Sequence, residues 1–408
     1  MSKAPKLRFK EFSGDWEHKH LDKIVERVTR KNKGTISKLP LTISAQYGLV
    51  DQETFFNKTV ASKNLEGYYL LENGEFAYNK SYSNGYPWGA IKRLDRYDKG
   101  VLSSLYICFR ILDKASSDYI KQYFETSKWY KEVSMIAVEG ARNHGLLNIS
   151  VSDFFDTLHY IPSKEEQEKI AYFLSLIDDK ISLQGEKVEA LKDYKKGMMQ
   201  KIFSRELRFK DDEGRDYPEW EHKKLNRIVE RITRKNKGTI CTLPLTISAQ
   251  YGLVDQVTFF NKTVASANLE GYYLLEKGEF AYNKSYSTGY PFGAIKRLDR
   301  YDRGVLSSLY ICFSILEGVD SDFLVQYFET SCWHKEISMI AVEGARNHGL
   351  LNISVSDFFE TYHWIPCYDE QVKIGEFLGK IDEKINKEQD MLDSLNEYKK
   401  GLLQQMFV

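Results

Sequence analysis

Three clusters of polar, basic and aromatic residues, each written twice, carry the chemistry visible in this chain. The first is basic: Arg30, Lys31 and Lys33 in TRKNKG (29–34), returning as Arg234, Lys235 and Lys237. Cations on a short glycine-closed loop suit phosphate oxygens. The second runs from Asn79 through Lys80, Ser81, Tyr82 and Ser83 to Tyr86. Its copy is Asn283, Lys284, Ser285, Tyr286, Ser287 and Tyr290. The third is Arg142, Asn143 and His144 between Gly140 and Gly145, with Arg346, Asn347 and His348 opposite. An arginine can clamp a guanine edge with two hydrogen bonds, and an asparagine an adenine edge. Gln46 and Tyr47 in SAQYG, with Gln250 and Tyr251, join this set as candidate contacts to DNA.

Blander readings stand beside these. Tyr78, Tyr82 and Tyr86 recur at even spacing, as residues do when one face of a strand packs on a core. TRKNKG reads equally as a solvated turn, and SAQYG ends a strand that could aim Gln46 inward or outward. The RNHG loop is the strongest functional candidate, because glycine-bounded polar side chains contribute little to a core.

Catalytic signatures are missing. There is no GxxxxGK[ST] phosphate loop, no HExxH, no paired-cysteine metal pattern and no Pro-Pro pair for an amino-methyltransferase loop. Glu17 and Lys19 beside Asp15, repeated as Glu221 and Lys223 beside Glu219, imitate a nuclease spacing. They crowd into one polar segment before a helix-like LDKIVERV, and read as a solvated charge cluster. No catalytic or metal-binding residue is assigned. Five cysteines form no CxxC pair and read as reduced, mostly buried thiols.

The elements that position these clusters form a duplicated unit. Thr29 and Thr233 open identical segments 204 residues apart, and 408 is twice 204. From Thr29 to Ile161, 22 of 133 aligned positions differ, so 133 − 22 = 111 match, roughly 83%. From Pro162 to Phe203 only 18 of 42 match. Short β-branched and aromatic runs at 39–44, 67–71, 76–79 and 103–111, broken by glycines, predict strands and turns. A helix is predicted over about 117–133. The tails differ in kind. Ile170, Leu174, Ile177, Ile181 and Leu191, with Ile374, Leu378, Ile381, Ile385 and Leu395, keep a heptad stripe. Ser163 to Glu166 fits a capping box that starts the first long helix near 164.

The fold class expected is therefore α+β: two mixed α/β globular domains joined by two long helices, packed as an antiparallel coiled coil under a pseudo-twofold. The boundaries are 1–162, a helical spacer 163–206, 207–366, and a second spacer 367–408. Lys and Arg total 58 against 58 Asp and Glu, which excludes a polybasic protein held by bulk charge and leaves local basic patches. No run of about 20 apolar residues is present, nor an apolar leader, so a cytoplasmic location without membrane contact is expected.

At this point the residues resemble a known family. LRFKEFSGDWEHKHLDKI (7–24), EEQEKIAYFLSLIDDKI (165–181) and DYKKGMMQKIF (193–203), with DEQVKIGEFLGKIDEKI and EYKKGLLQQMF in the second copy, resemble specificity subunits of type I restriction-modification systems. The resemblance covers essentially the whole chain. It implies two target recognition domains, each reading half of a split sequence in double-stranded DNA, and helices that set the spacing and dock two methyltransferase subunits. Those partners bind S-adenosylmethionine and methylate adenine N6. Restriction subunits that join use ATP and Mg2+. The chain itself would hold no cofactor and act as a non-catalytic subunit. In this family the two recognition domains usually differ, whereas here they nearly coincide, which predicts a palindromic interrupted target. The rival reading is a stand-alone pseudo-dimeric DNA-binding regulator. A nuclease built on the Glu-x-Lys pairs is a weaker third.

Overall fold

The structure is a computed structural model that describes residues 4–58, 61–62, 64–83, 85–137, 147–262, 265–266, 268–286, 289–341 and 351–408. The chain divides into two compact units, Met1–Gly185 with Asp390–Val408, and Glu186–Gln389. Each unit thus holds one globular block, part of the helix that follows it and part of the other long helix.

The first copy comprises β1 (Glu17–His20), β2 (Val25–Arg27), β3 (Leu41–Ser44), β4 (Gly48–Asp51), α1 (Gln52–Phe56), β5 (Tyr69–Glu72), β6 (Phe76–Asn79), β7 (Ala90–Arg93), β8 (Lys99–Leu102) and β9 (Ile107–Ile111). Then follow α2 (Ser117–Phe124), α3 (Tyr130–Ile136), α4 (Val151–Asp156), β10 (Leu158–Ile161) and the long α5 (Lys164–Phe203). The second copy repeats the strands as β11 (Glu221–Lys224), β12 (Val229–Arg231), β13 (Leu245–Ser248), β14 (Gly252–Asp255), β15 (Tyr273–Glu276), β16 (Phe280–Asn283), β17 (Ala294–Arg297), β18 (Arg303–Leu306), β19 (Ile311–Ile315) and β20 (Tyr362–Ile365). Its helices are α6 (Gln256–Phe260), α7 (Ser321–Phe328), α8 (His334–Ile340), α9 (Val355–Phe359) and α10 (Tyr368–Met406).

In each block a four-stranded antiparallel sheet, β2-β9-β6-β7 or β12-β19-β16-β17, is accompanied by three two-stranded pairs. Apolar residues alternate between its faces. Phe76, Tyr78 and Phe109 enter one cluster with Trp129 and Phe154, while Ala77 and Cys108 enter a second with Leu41 and Leu71. The second block builds the same two clusters.

Two local expectations are corrected. LDKIVERV does not form a helix: Leu21–Lys23 make one 3-10 turn, and Val25–Arg27 pair with Ile111–Phe109. The β-branched Val25 gains more from that sheet than from a free amphipathic turn. The helix over 117–133 is also broken, into α2 and α3. The Thr126 hydroxyl bonds the Tyr123 carbonyl at 2.7 Å, and the Trp129 indole turns inward to the Phe124 carbonyl at 3.2 Å, so backbone carbonyls at the end of α2 are met by side chains.

Helix α5 is 40 residues long and α10 is 39, each about 60 Å at the usual rise. In the second unit they run antiparallel: Lys187 meets Glu388 at 2.7 Å and Lys195 meets Asp382 at 2.6 Å. In the first, Ile170 and Leu174 share a core cluster with Leu402, Met406 and Phe407, and Lys399 reaches Asp178 at 2.5 Å. Ile170, Leu174, Ile374 and Leu378 are buried. Ile177, Ile181, Leu191, Ile381, Ile385 and Leu395 are half-buried.

The capping box is half formed. Ser163 Oγ accepts the Glu166 amide at 3.3 Å, but the Glu166 carboxylate does not turn back. It is held by Arg8 Nε and Nη2, both at 2.8 Å, and by the Trp16 indole at 3.3 Å. Arg208 and Trp220 hold Glu370 in the same way. The adjoining Gln167 accepts the Ser116 amide and donates to the Pro162 carbonyl, and Gln371 repeats both bonds with Asp320 and Pro366. The start of each long helix is therefore bolted to its own block.

Candidate nucleic-acid interface

β3 and β4 join through a three-residue turn in which Ser44 pairs with Gly48, and Gly48 takes φ 80°. Ser44 Oγ accepts the Tyr47 amide at 3.1 Å and fixes the turn. Gln46 and Tyr47 thus face solvent, which settles the open orientation; Gln250 and Tyr251 do likewise. β6 ends at Asn79, whose Oδ1 accepts the Ser81 amide at 3.1 Å and turns the chain outward. Tyr82 is 60% exposed, while Ser83 and Tyr86 bridge across Gly85. Tyr78, by contrast, is buried and donates to the Trp88 carbonyl at 2.8 Å. Only that tyrosine of the evenly spaced three is fully in the core.

These two segments, more than thirty residues apart, meet. Gln46, Asn79, Ser81, Ser83 and Tyr86 line one groove of about 500 Å³, with Ile43, Ser44, Ala45, Phe55 and Ala90. Amide and hydroxyl groups on a concave wall are the chemistry needed to read neutral base edges. Lys80 does not line it; its ammonium donates to the Ile149 carbonyl at 3.0 Å and its pKa is lowered by burial, and Lys284 repeats this at Ile353. Burial likewise raises the Tyr86 and Tyr290 hydroxyls, with a smaller push from Glu125 and Glu329. Ser285 Nα bonds Asn283 in the second block, and Tyr286 is 60% exposed.

The basic loop is differently organised. Asn32 is buried and closes it, donating to the Ser37 carbonyl at 2.8 Å and accepting the Ser37 amide at 2.9 Å. Arg30 is tied to Glu75 at 2.8 Å, and Lys31 lies 3.6 Å over the Tyr69 ring. Arg234 and Lys235 repeat both contacts with Glu279 and Tyr273. Lys33 and Lys237 are exposed and have no ion-pair partner among the described residues. The RNHG positions, Arg142, Asn143, His144, Arg346, Asn347 and His348, lie outside the described residues, as does Ser287.

In each unit a further groove lies between the block and the long helices. In the first unit it holds about 460 Å³, lined among others by Gln46, Tyr47, Lys92, Gln122, Glu125, Asp178 and Lys399. In the second it holds about 1040 Å³, with Gln250, Tyr290, Lys296, Gln326, Glu329, Lys195 and Asp382. Gln122 donates to Asp178 at 2.7 Å, and Asp178 also takes Lys399; Gln326, Asp382 and Lys195 form the same chain. The sequence reading missed these residues, although Gln122, Asp178 and Lys195 recur unchanged in their copies.

Glu17 and Lys19 pair with each other at 2.6 Å in solvent. No group of three or more His, Cys, Asp or Glu among the described residues could hold a metal ion. His159, between Tyr123 Oη at 2.7 Å and Thr157 Oγ1 at 2.8 Å, is pushed down to about 3 by burial, as is His363. Of the cysteines, only Cys108 and Cys312 are buried, their thiols raised to about 12 by desolvation; Cys332 is exposed, so burial is not general. No helix among the described residues is long and apolar enough to cross a membrane.

No protein-family model matches the chain. The type I restriction enzyme MjaVIII specificity subunit of Methanocaldococcus jannaschii is 25% identical over 332 residues, covering 75% of this chain and 73% of that one. The type I restriction-modification S subunit of M. genitalium superposes with a TM-score of 0.55 at 16% identity, over 99% of both chains. The chain is related in sequence to type I specificity subunits and has their fold. A structure described as underlying complex assembly and conformational transition of a type I system agrees, with a TM-score of 0.53 and 14% identity over 97% of this chain and 98% of that one.

Proposed function

We propose that the chain is the non-catalytic DNA-recognition subunit of a type I restriction-modification enzyme. Each recognition domain reads one half of an interrupted target in duplex DNA, and the helices dock two adenine-N6 methyltransferase subunits. S-adenosylmethionine is bound by those partners, and ATP with Mg2+ by restriction subunits where they join. The observation that carries this reading is the groove of neutral hydrogen-bonding groups, built from Gln46, Asn79, Ser81, Ser83 and Tyr86. Its counterparts Gln250, Asn283, Ser285, Ser287 and Tyr290 are identical in type. Arg142 and Asn143 add the bidentate readers, and Lys33 and Lys237 the phosphate contacts.

Because the two domains match at 111 of 133 positions, both read the same half-site, and the target is an interrupted palindrome. Any asymmetry arises where they differ, at Ser37/Cys241, Lys38/Thr242, Asn84/Thr288 and Trp88/Phe292. Methylome sequencing of cells expressing the chain with its methyltransferase tests this. A single palindromic, split adenine-methylated motif is expected, and two unrelated half-sites would overturn the symmetry. A chain that purifies without any methyltransferase yet binds DNA specifically would instead be a regulator.

A further inference from the structure

α1 is five residues long and leaves two large apolar rings half in water. Phe55 and Phe56 are each 44% exposed and pack edge-on with centroids 5.1 Å apart at 81°. α6 does the same: Phe259 and Phe260 are 45% and 44% exposed, again 5.1 Å apart at 81°. The pair is rigidly presented. Asp51 caps α1 by accepting the Glu53 amide at 3.0 Å and the Thr54 hydroxyl at 2.6 Å, and the Gln52 amide donates to the Pro40 carbonyl at 2.9 Å. Asp255 caps α6 through Val257 and Thr258.

The Phe55 ring forms one wall of the groove lined by Gln46, Asn79, Ser81 and Ser83. None of the described residues lining that groove is charged, which is unsuited to a phosphate, a metal ion or an ionic metabolite. It suits a ligand that offers neutral donors and acceptors beside a small apolar bump. In the major groove one base has that character: thymine, with its O4 acceptor and C5-methyl.

We propose that Phe55 and Phe259 are specificity-determining residues that seat the C5-methyl of a thymine in each half-site, while the neighbouring amides and hydroxyls read polar edges. This rests on the DNA-recognition reading above. Phe56 and Phe260 brace the reading ring from behind through the edge-on contact.

The test uses the purified complex of this chain with its methyltransferase subunits and duplexes carrying its target. Each thymine of the target is replaced in turn by deoxyuridine, which removes only the methyl. At one thymine per half-site, affinity should fall about fourfold, the worth of one buried methyl-sized group, and about fifteenfold with both replaced. The F55A/F259A variant should bind thymine and uracil duplexes equally, and F55L/F259L should keep much of the discrimination. A parent complex that binds specifically but ignores every uracil substitution overturns the proposal, as does a target without thymine at any specified position. So does an alanine variant that keeps the full uracil penalty. Loss of methyltransferase co-elution in F55A/F259A, with no uracil effect in the parent, assigns the rings to a protein interface instead. A parent complex with no sequence preference at all strikes the recognition reading rather than this residue. The parent complex decides even if the alanine variant does not fold.

Discussion

Replacing Arg8 by Met isolates the bolt between the first globular block and its helix. Glu166 is 1% exposed, and its carboxylate has three N–H donors, two from Arg8 and one from Trp16. Without the guanidinium a buried carboxylate keeps only the indole, a situation that typically costs about 3–5 kcal/mol. R8M should therefore lose about 3–5 kcal/mol. E166Q added to R8M removes the stranded charge and should restore roughly half. Urea unfolding gives the free energies, and hydrogen exchange locates them: protection should fall across residues 164–175 in R8M and across 368–379 in R208M. An R8M protein within about 1 kcal/mol of the parent, or a double variant no better than R8M, would refute the reasoning.

Three further outcomes follow from the same contacts. His159 and His363 are held neutral, with pKa pushed down to about 3 from the usual range near 6.5; a depressed imidazole contributes stability that is full above ~6.5 and is lost as pH falls toward 3, so each should cost roughly 2 kcal/mol by pH 5. Urea titrations at pH 7.5, 6 and 5 check this, and H159Q should flatten the slope by one proton's worth. Gly89 has φ 77° and a Cβ there would stand 2.1 Å from the Asn79 carbonyl oxygen, so G89A should lose about 1–3 kcal/mol and impair half-site methylation, whereas G85A, which shares the left-handed backbone at φ 80° but meets no atom, should lose less. A charge at the seam, I177D or I381D, should destabilise the helix pairing enough that the methyltransferase complex no longer elutes as one species on a sizing column.

The sequence made the duplication, strands β3, β5, β6 and β9 with their copies, and the long helices plain, because each is a local or periodic signal. Tertiary decisions were not legible. Val25 leaves a helix-like pattern for a sheet because Ile111 is there to pair with it. Trp129 ends a helix because its indole finds the Phe124 carbonyl. Glu166 abandons its cap because Arg8, 158 residues away in sequence, reaches it. The groove is the same case: Gln46 and Asn79 were visible as candidate reading residues, but only the packing of β3 against β7 makes them neighbours. Phe55 was missed because an apolar residue in a short turn defaults to core, and nothing local says that its ring is left out.

The tails show why loose sequence identity does not loosen function. Only 18 of 42 positions match between them, yet the matches include Glu166, Gln167, Ile170, Leu174, Asp178 and Lys195. These are the residues that bolt each helix to its domain, fill its core or tie it to its partner helix. Many positions that change face water: Tyr172, Leu176 and Leu183 are exposed in α5, and Glu376, Lys380 and Lys387 replace them in α10, while buried changes such as Ile202 to Met406 and Val188 to Leu392 stay apolar. An exposed substitution shifts stability by only about half a kcal/mol, whereas a broken buried pair costs several times that. Divergence therefore accumulates on the outer faces without tilting a domain on its helix. The contacts that hold each block to its helix are thus the same in both copies, the condition that the proposed reading of identical half-sites requires.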